Sequence, residues 1–139
     1  MTEAIGFVSF YGLTPCIDVL KDSHLDVNKD DQDINMLISE CADIRHVLKT
    51  LADLLPLDGL KDGQREHNIN IYLHEKNLEN LARALLFLTL LCETSFSKRE
   101  RQELFLDLYA NCMIRDKTDA YLQGVVNELI QLITEDERC

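Results

Sequence analysis

Two short apolar runs, Ile34 to Ser39 and Ile69 to His74, each lead into a segment with helical apolar spacing, and together they predict an α/β fold. A third observation narrows the class. After the second run the chain continues through helical segments only, so the order is β-α-β-α followed by additional C-terminal helices. Two strands joined by a helix are the opening of a parallel, Rossmann-like sheet, here an incomplete one. A two-stranded parallel sheet is a poor independent unit. Either the N-terminal IGFVSFY adds to it or strands that belong further along are lacking, and the second is the expectation. The 139 residues match the size of one domain, 1–139.

Taken in order, Ile5 to Tyr11 is β-prone, and Gly12 breaks it. Thr14-Pro15 reads as a helix start, hydroxyl at the N-cap and proline at N1, with a short helix from Pro15 to about Leu20. Lys21 to Asp33 holds five aspartates, two lysines and no aromatic residue, the composition of an exposed loop. Ile34 to Ser39 is almost continuously apolar, as in a strand covered on both faces. Asp43 can cap the next helix, whose apolar positions Ile44, Val47, Leu48, Leu51, Leu54 and Leu55 keep helical spacing until Pro56. Leu57 to Asn68 reads as a loop.

Ile69, Ile71 and Leu73 alternate on one face of the second strand. Asn77 can cap the helix Leu78 to Glu93. That helix carries leucines and Phe87 around most of its circumference, so it is expected to lie centrally, covered on several sides. Its cover should come from two further helices. One opens on the capping box Ser97-Lys98-Arg99-Glu100 and carries the stripe Leu104, Phe105, Leu108, Tyr109, Cys112 and Met113. The other runs from about Ala120 to Thr134 with Tyr121, Leu122, Val125, Val126, Leu129, Leu132 and Ile133 on one face. Gly124 in its interior is expected to allow a close helix contact.

A net charge of −11 and a pI near 4.6 speak against nucleic acid and anionic lipid, since both require clustered Lys and Arg. The five cysteines, at 16, 41, 92, 112 and 139, contain no C-x-x-C pair. Cys41, Cys92 and Cys112 lie in apolar segments and read as small buried hydrophobes, which implies a reducing compartment. The start MTEAIGF lacks the layout of a signal peptide, and Ala84 to Cys92 falls short of the roughly 20 residues that span a bilayer. A cytosolic location is the expectation.

The turn after the first strand, Ser39 to Ile44, stands where α/β enzymes hold a nucleotide or an S-adenosyl group. Such turns rely on glycine for close approach and unusual backbone angles, and this one has none. Glu40 and Asp43 would also repel phosphate. Glu75, closing the second strand, sits where an acidic residue often binds ribose hydroxyls; the simpler reading has Glu75 and Asn77 polarise and cap the following helix. His24, His46, His67 and His74 show no zinc-like spacing, and His46 reads as a surface or partner-facing residue. No nucleophile carries a local signature. No catalytic, cofactor-binding or metal residue is therefore assigned, and no cofactor is expected.

The run Gly6-Phe7-Val8-Ser9-Phe10-Tyr11-Gly12-Leu13-Thr14-Pro15-Cys16-Ile17-Asp18-Val19 resembles the opening of the dynein axonemal assembly factor 3 family: paired aromatics, Gly-Leu, Ser/Thr-Pro, then an apolar-Asp pair. The likeness continues through Asp33 to Ile38 into Asp43-Ile44-Arg45-His46-Val47-Leu48-Lys49-Thr50-Leu51, where the family pattern is D-G-R-H-L-L-R-T-L. It resumes from Asn70 to Arg83 and over Glu103 to Arg115. At the family's glycine this chain has Ile44, and family members are much longer, so the chain resembles their N-terminal domain in a short or truncated form. The resemblance implies a non-enzymatic cytoplasmic factor for pre-assembling axonemal dynein arms for motile cilia. Its implied partners are axonemal dynein chains, chaperones and other assembly factors. The alternative is a degenerate or active S-adenosylmethionine-dependent, methyltransferase-like domain.

Overall fold

The alternating Ile69, Ile71 and Leu73 and the apolar Met36 and Ile38 make two strands that share one buried face. In the computed structural model, which describes residues 8–23, 33–54 and 68–136, β1 (Ile34–Ser39) and β2 (Ile69–His74) pair in parallel, in register from Ile34↔Ile69 to Ser39↔His74. Met36 and Ile38 are buried, while Asn35, Leu37 and Ser39 point outward with Asn70, Tyr72 and His74. β1 was predicted to be covered on both faces. It is covered on one, and Leu37 is 69% exposed. The outward face instead carries cross-strand pairs set by the register, Asn70 Nδ2 to Asn35 Oδ1 at 3.1 Å and Ser39 Oγ to His74 Nδ1 at 3.0 Å.

The chain divides into two compact units, Met1–Ala84 and Leu85–Cys139, the boundary falling inside α3 (Leu78–Cys92). In the first unit, the helix α2 (Arg45–Leu54) follows β1. Ile44, Val47 and Thr50 are buried, as is Leu20 of α1 (Val19–Asp22), which packs on α2. Each buried aliphatic side chain contributes about 1.5–3 kcal/mol. Helix α1 is a single turn capped by Asp18, whose Oδ1 accepts the Leu20 and Lys21 amides at 3.0 and 3.2 Å. The predicted helix from Pro15, capped by Thr14, does not form. The Thr14 hydroxyl and carbonyl are taken by Arg45, and the Ile17 and Val19 amides donate to side chains of α2 rather than to helical carbonyls. Residues 8–10 are not in a strand either; positions 5–7 of that expected segment, the loops 24–32 and 55–67, and the predicted stop at Pro56 lie outside the described residues.

In the second unit, α4 (Lys98–Ala110) opens on the predicted capping box, with Ser97 Oγ accepting the Glu100 amide and the Glu100 carboxylate accepting the Ser97 amide. Phe87 meets Phe105 and Tyr109 at centroid separations of 4.9 and 5.8 Å, and Leu90 and Leu104 are buried. Exposure of Leu85 and Leu91 shows that α3 is covered on part of its circumference only, contrary to expectation. Asn111 ends α4 in an extended conformation, so Cys112 and Met113 leave the predicted stripe for solvent. Cys92 is also exposed and Cys41 only half-buried, so none of the three cysteines is the buried hydrophobe predicted.

Helix α5 (Asp116–Asp136) begins four residues before the predicted Ala120. The reason is Asp107, whose carboxylate accepts Thr118 Oγ1 at 2.7 Å, Arg115 Nε at 2.6 Å and Asn111 Nδ2 at 2.8 Å. This hub fixes the α4–α5 connection and draws the polar stretch 116–119 into the first helical turn. On the predicted apolar face Val125 is buried, but Val126, Leu132 and Ile133 are exposed. Gly124 has no atom near the position of an added Cβ, so it serves no close helix contact.

Candidate functional site

The turn between β1 and α2 is where ligand chemistry would be expected, and its backbone is unusual. Glu40 and Ala42 adopt left-handed angles, φ 52° and 65°, although neither is glycine. A side chain in that region costs on the order of 1 kcal/mol. Alternation of this kind turns successive amides toward one point and makes a nest for an anion. The anion present is the chain's own. Glu75 Oε1 accepts the Cys41 amide at 3.0 Å and the Ala42 amide at 3.1 Å. Glu75 thus does not cap α3, as the simpler sequence reading held; α3 begins with the Asn80 and Leu81 amides donating to the Asn77 carbonyl. Absence of glycine did not prevent the turn angles either, because the two charge-assisted bonds offset their strain.

Beside this turn the N-terminal segment is laid along α2 by a row of acceptors. Asp43 Oδ2 accepts the Gly12 amide at 2.8 Å, His46 Nδ1 accepts the Ile17 amide at 3.1 Å, and Thr50 Oγ1 accepts the Val19 amide at 2.9 Å. Positions 46 and 50 share one face of α2, and Asp43 just before the helix extends the row, so together they grip residues 12–19. Arg45 closes the grip. Its guanidinium pairs with the buried Asp43 at 2.9 Å and donates to the Thr14 carbonyl, Thr14 Oγ1 and the Cys41 carbonyl. A Cβ on Gly12 would run into that guanidinium. Further back, Arg83 donates to the Phe10 carbonyl at 2.8 Å and lies over the rings of Phe10 and Tyr11.

An open groove of about 500 Å³ remains between this strap, the turn and the carboxyl half of β1. Leu13, Ile17 and Leu37 give it apolar lining, and Ser39, Glu40 and His46 a polar one. Burial, and then the Glu75 carboxylate, push the Cys41 thiol above its ordinary value, which keeps it protonated and a poor nucleophile. Burial and then the Arg45 charge lower His46, favouring the neutral ring that its acceptor role requires. His46 is therefore a half-buried structural acceptor at the wall of an open groove, a role that the expected surface or partner-facing position did not include. Ser39 and His74 stand at nucleophile–base distance. They are also a register pair like Asn35 and Asn70, and among the described residues no third group orients His74. No cluster of three or more His, Cys, Asp or Glu suited to a metal, and no helix long and apolar enough to cross a membrane, occurs among the described residues.

Sequence reading singled out the turn and Glu75 but missed that they bond to each other. It missed Gly12, Thr50 and Arg83 as site residues, since their partners lie 31 to 73 positions away. The one available signal was that the runs 6–19 and 43–51 carry the family likeness together; residues 12–19 of the first prove to be clasped by the second.

Residues 10–114 match a family model described as Domain of unknown function (DUF4470). The chain is similar to the dynein axonemal assembly factor 3 of Mus musculus, 32% identical over 96% of this chain and 23% of that protein. It is likewise similar to the proteins of that name from Bos taurus, 31% identical over 96% of this chain and 25% of the relative, and from Homo sapiens, 29% identical over 98% and 26%. The chain thus spans about a quarter of the length of these curated relatives. No solved structure matches it. With three-quarters of its length inside the family model, the chain belongs to the DUF4470 family, and nearly all of it aligns with a part of each dynein axonemal assembly factor 3 relative.

Proposed function

We propose that this chain is a non-enzymatic cytoplasmic factor for the pre-assembly of axonemal dynein arms, acting with dynein chains, chaperones and other assembly factors in the biogenesis of motile cilia. The names of its relatives supply the process. In this reading residues 1–139 form the N-terminal, Rossmann-like part of such a factor, its β-α-β opening serving as scaffold. One observation carries the non-enzymatic half: the amides that would meet a ligand at the β1–α2 turn already hold the Glu75 carboxylate. A bound nucleotide or S-adenosyl group would have to break both bonds and bring its own replacement for them.

Deletion of the chain in ciliated cells tests the assembly role. Depleted dynein arms in electron micrographs of the axoneme, with immotile cilia, are the expected result; intact arms after a clean deletion would count against it. The methyltransferase-like alternative is favoured by the groove at the carboxyl end of β1, the usual ligand position in open α/β sheets. Calorimetry with S-adenosylmethionine separates the two, because heat of saturable binding belongs only to the alternative.

A further inference from the structure

Among the described residues, strand β1 is paired along one edge only. The Ile34 and Glu40 amides donate toward β2, to the Asn68 and His74 carbonyls at 2.9 and 2.8 Å. Alternation along a strand therefore sends the backbone groups of Asn35, Leu37 and Ser39 to the opposite edge. The sheet contains two strands, so among the described residues no third strand meets that edge. The groove runs along it. Leu37 and Ile38 point to opposite faces of the sheet, yet both line the groove, followed by Ser39 and Glu40, and no residue of β2 does. A groove bordered by consecutive residues of one strand follows the edge of that strand. Across it stand the exposed side chains of Leu13 and Ile17 on the strap.

The charge of the groove is one-sided. Arg45 is its cation, and that guanidinium is bound to Asp43, Thr14 and Cys41. Glu40 stays exposed at the end of the edge, on a chain of net charge −11.

We propose that this edge docks an extended segment of another polypeptide, which adds to β1 as a third strand, sets alternate apolar side chains against Leu13 and Ile17, and brings a lysine or arginine to Glu40. Main-chain bonds to Leu37 and Ser39 supply affinity, and the alternate side chains supply specificity. The inference rests on strand geometry and holds whether or not the chain serves dynein assembly.

A peptide of about nine residues alternating valine and lysine is a suitable probe, since strands run to about that length. Binding to the whole 139-residue chain is read by fluorescence polarisation and by hydrogen exchange of the edge amides. Saturable binding with protection of the Leu37 and Ser39 amides is expected. N-methylation of every second peptide amide should weaken binding at least about tenfold, through loss of two or more hydrogen bonds. Exchange of the peptide lysines for glutamate should weaken it likewise. Leu37→Pro should remove binding while keeping the β1–β2 ladder, because the Leu37 amide takes no part in that ladder. Should this variant fail to fold, the N-methylated peptide gives the same answer without altering the protein. Equal binding of the N-methylated peptide, unprotected edge amides at saturation, or no binding up to about 1 mM would overturn the proposal. So would a homodimer in sedimentation that pairs through β1, which would make a second copy the occupant.

Discussion

Glu75 does more for this chain than its place at the end of β2 suggests. Its carboxylate ties the second strand to the turn after the first, and the left-handed angles at Glu40 and Ala42 are affordable only while it does so. Glu75→Ala leaves two amides without a partner and keeps the strain. Hydrogen bonds to a charged group are worth about 1.5–3 kcal/mol, so a loss of about 2–3 kcal/mol in urea unfolding is expected. An unchanged midpoint would show the contact to be incidental. Two glycines make a contrasting pair. Gly12→Ala places a methyl on the Arg45 guanidinium and should destabilise by about 1–3 kcal/mol, as overpacking does. Gly124→Ala meets open space in the middle of α5 and should stabilise by about 0.5–1 kcal/mol. Both are measured by the same denaturation, and signs in the other order would refute the local geometry.

At the scale of elements, the strap and α2 form one unit whose strength depends on pH. Burial holds His46 below its ordinary value of 6.5. The unfolded chain therefore takes up the proton first as pH falls. The strap's contribution is whole above 6.5 and declines below it, because a protonated Nδ1 cannot accept the Ile17 amide. Hydrogen exchange at Ile17, corrected for intrinsic rates, should be slow near about pH 7.5 and faster near about pH 5; His46→Phe should abolish that difference. The start of α4 behaves oppositely in range. The Lys117 ammonium first, then Ser97, hold Glu100 down at about 2, so the capping box keeps its contribution above 4.5 and loses it only as pH falls toward about 2. A carboxyl titration of Glu100 by NMR with its midpoint near the ordinary 4.5 would contradict this.

Elements with a strong local period were legible in the sequence. The bounds of Ile34–Ser39 and Ile69–His74 and the capping box at Ser97 stand as read. What failed was decided by distant partners. Thr14 and Pro15 look like a helix start until Arg45, His46 and Thr50 take the hydroxyl, the carbonyl and the amides of that segment. The apolar pattern starts the last helix at about Ala120, and Asp107, by receiving Thr118, carries it back to Asp116.

For the whole molecule, the sequence points to the β1–α2 turn and to Glu75 separately, and the structure joins them. Lack of glycine in that turn speaks against a dinucleotide. The turn does adopt a nest, and the occupant comes from the chain itself. No run of residues along the sequence could show this, because Glu75 reaches the nest across the β1–β2 pairing. Surface exposure was equally invisible. Leu37, which a continuous apolar run assigns to a core, and Leu132 and Ile133 of α5, which periodicity assigns to one, lie open in the structure. Glu75 thus fills, from within the chain, the amide nest at the ligand position of an α/β scaffold. The most direct test is a titration of isotope-labelled protein with S-adenosylmethionine, following the Cys41 and Ala42 amides. The account predicts that both stay unmoved up to about 1 mM; saturable shifts at these two amides, with their bonds to Glu75 released, would contradict it.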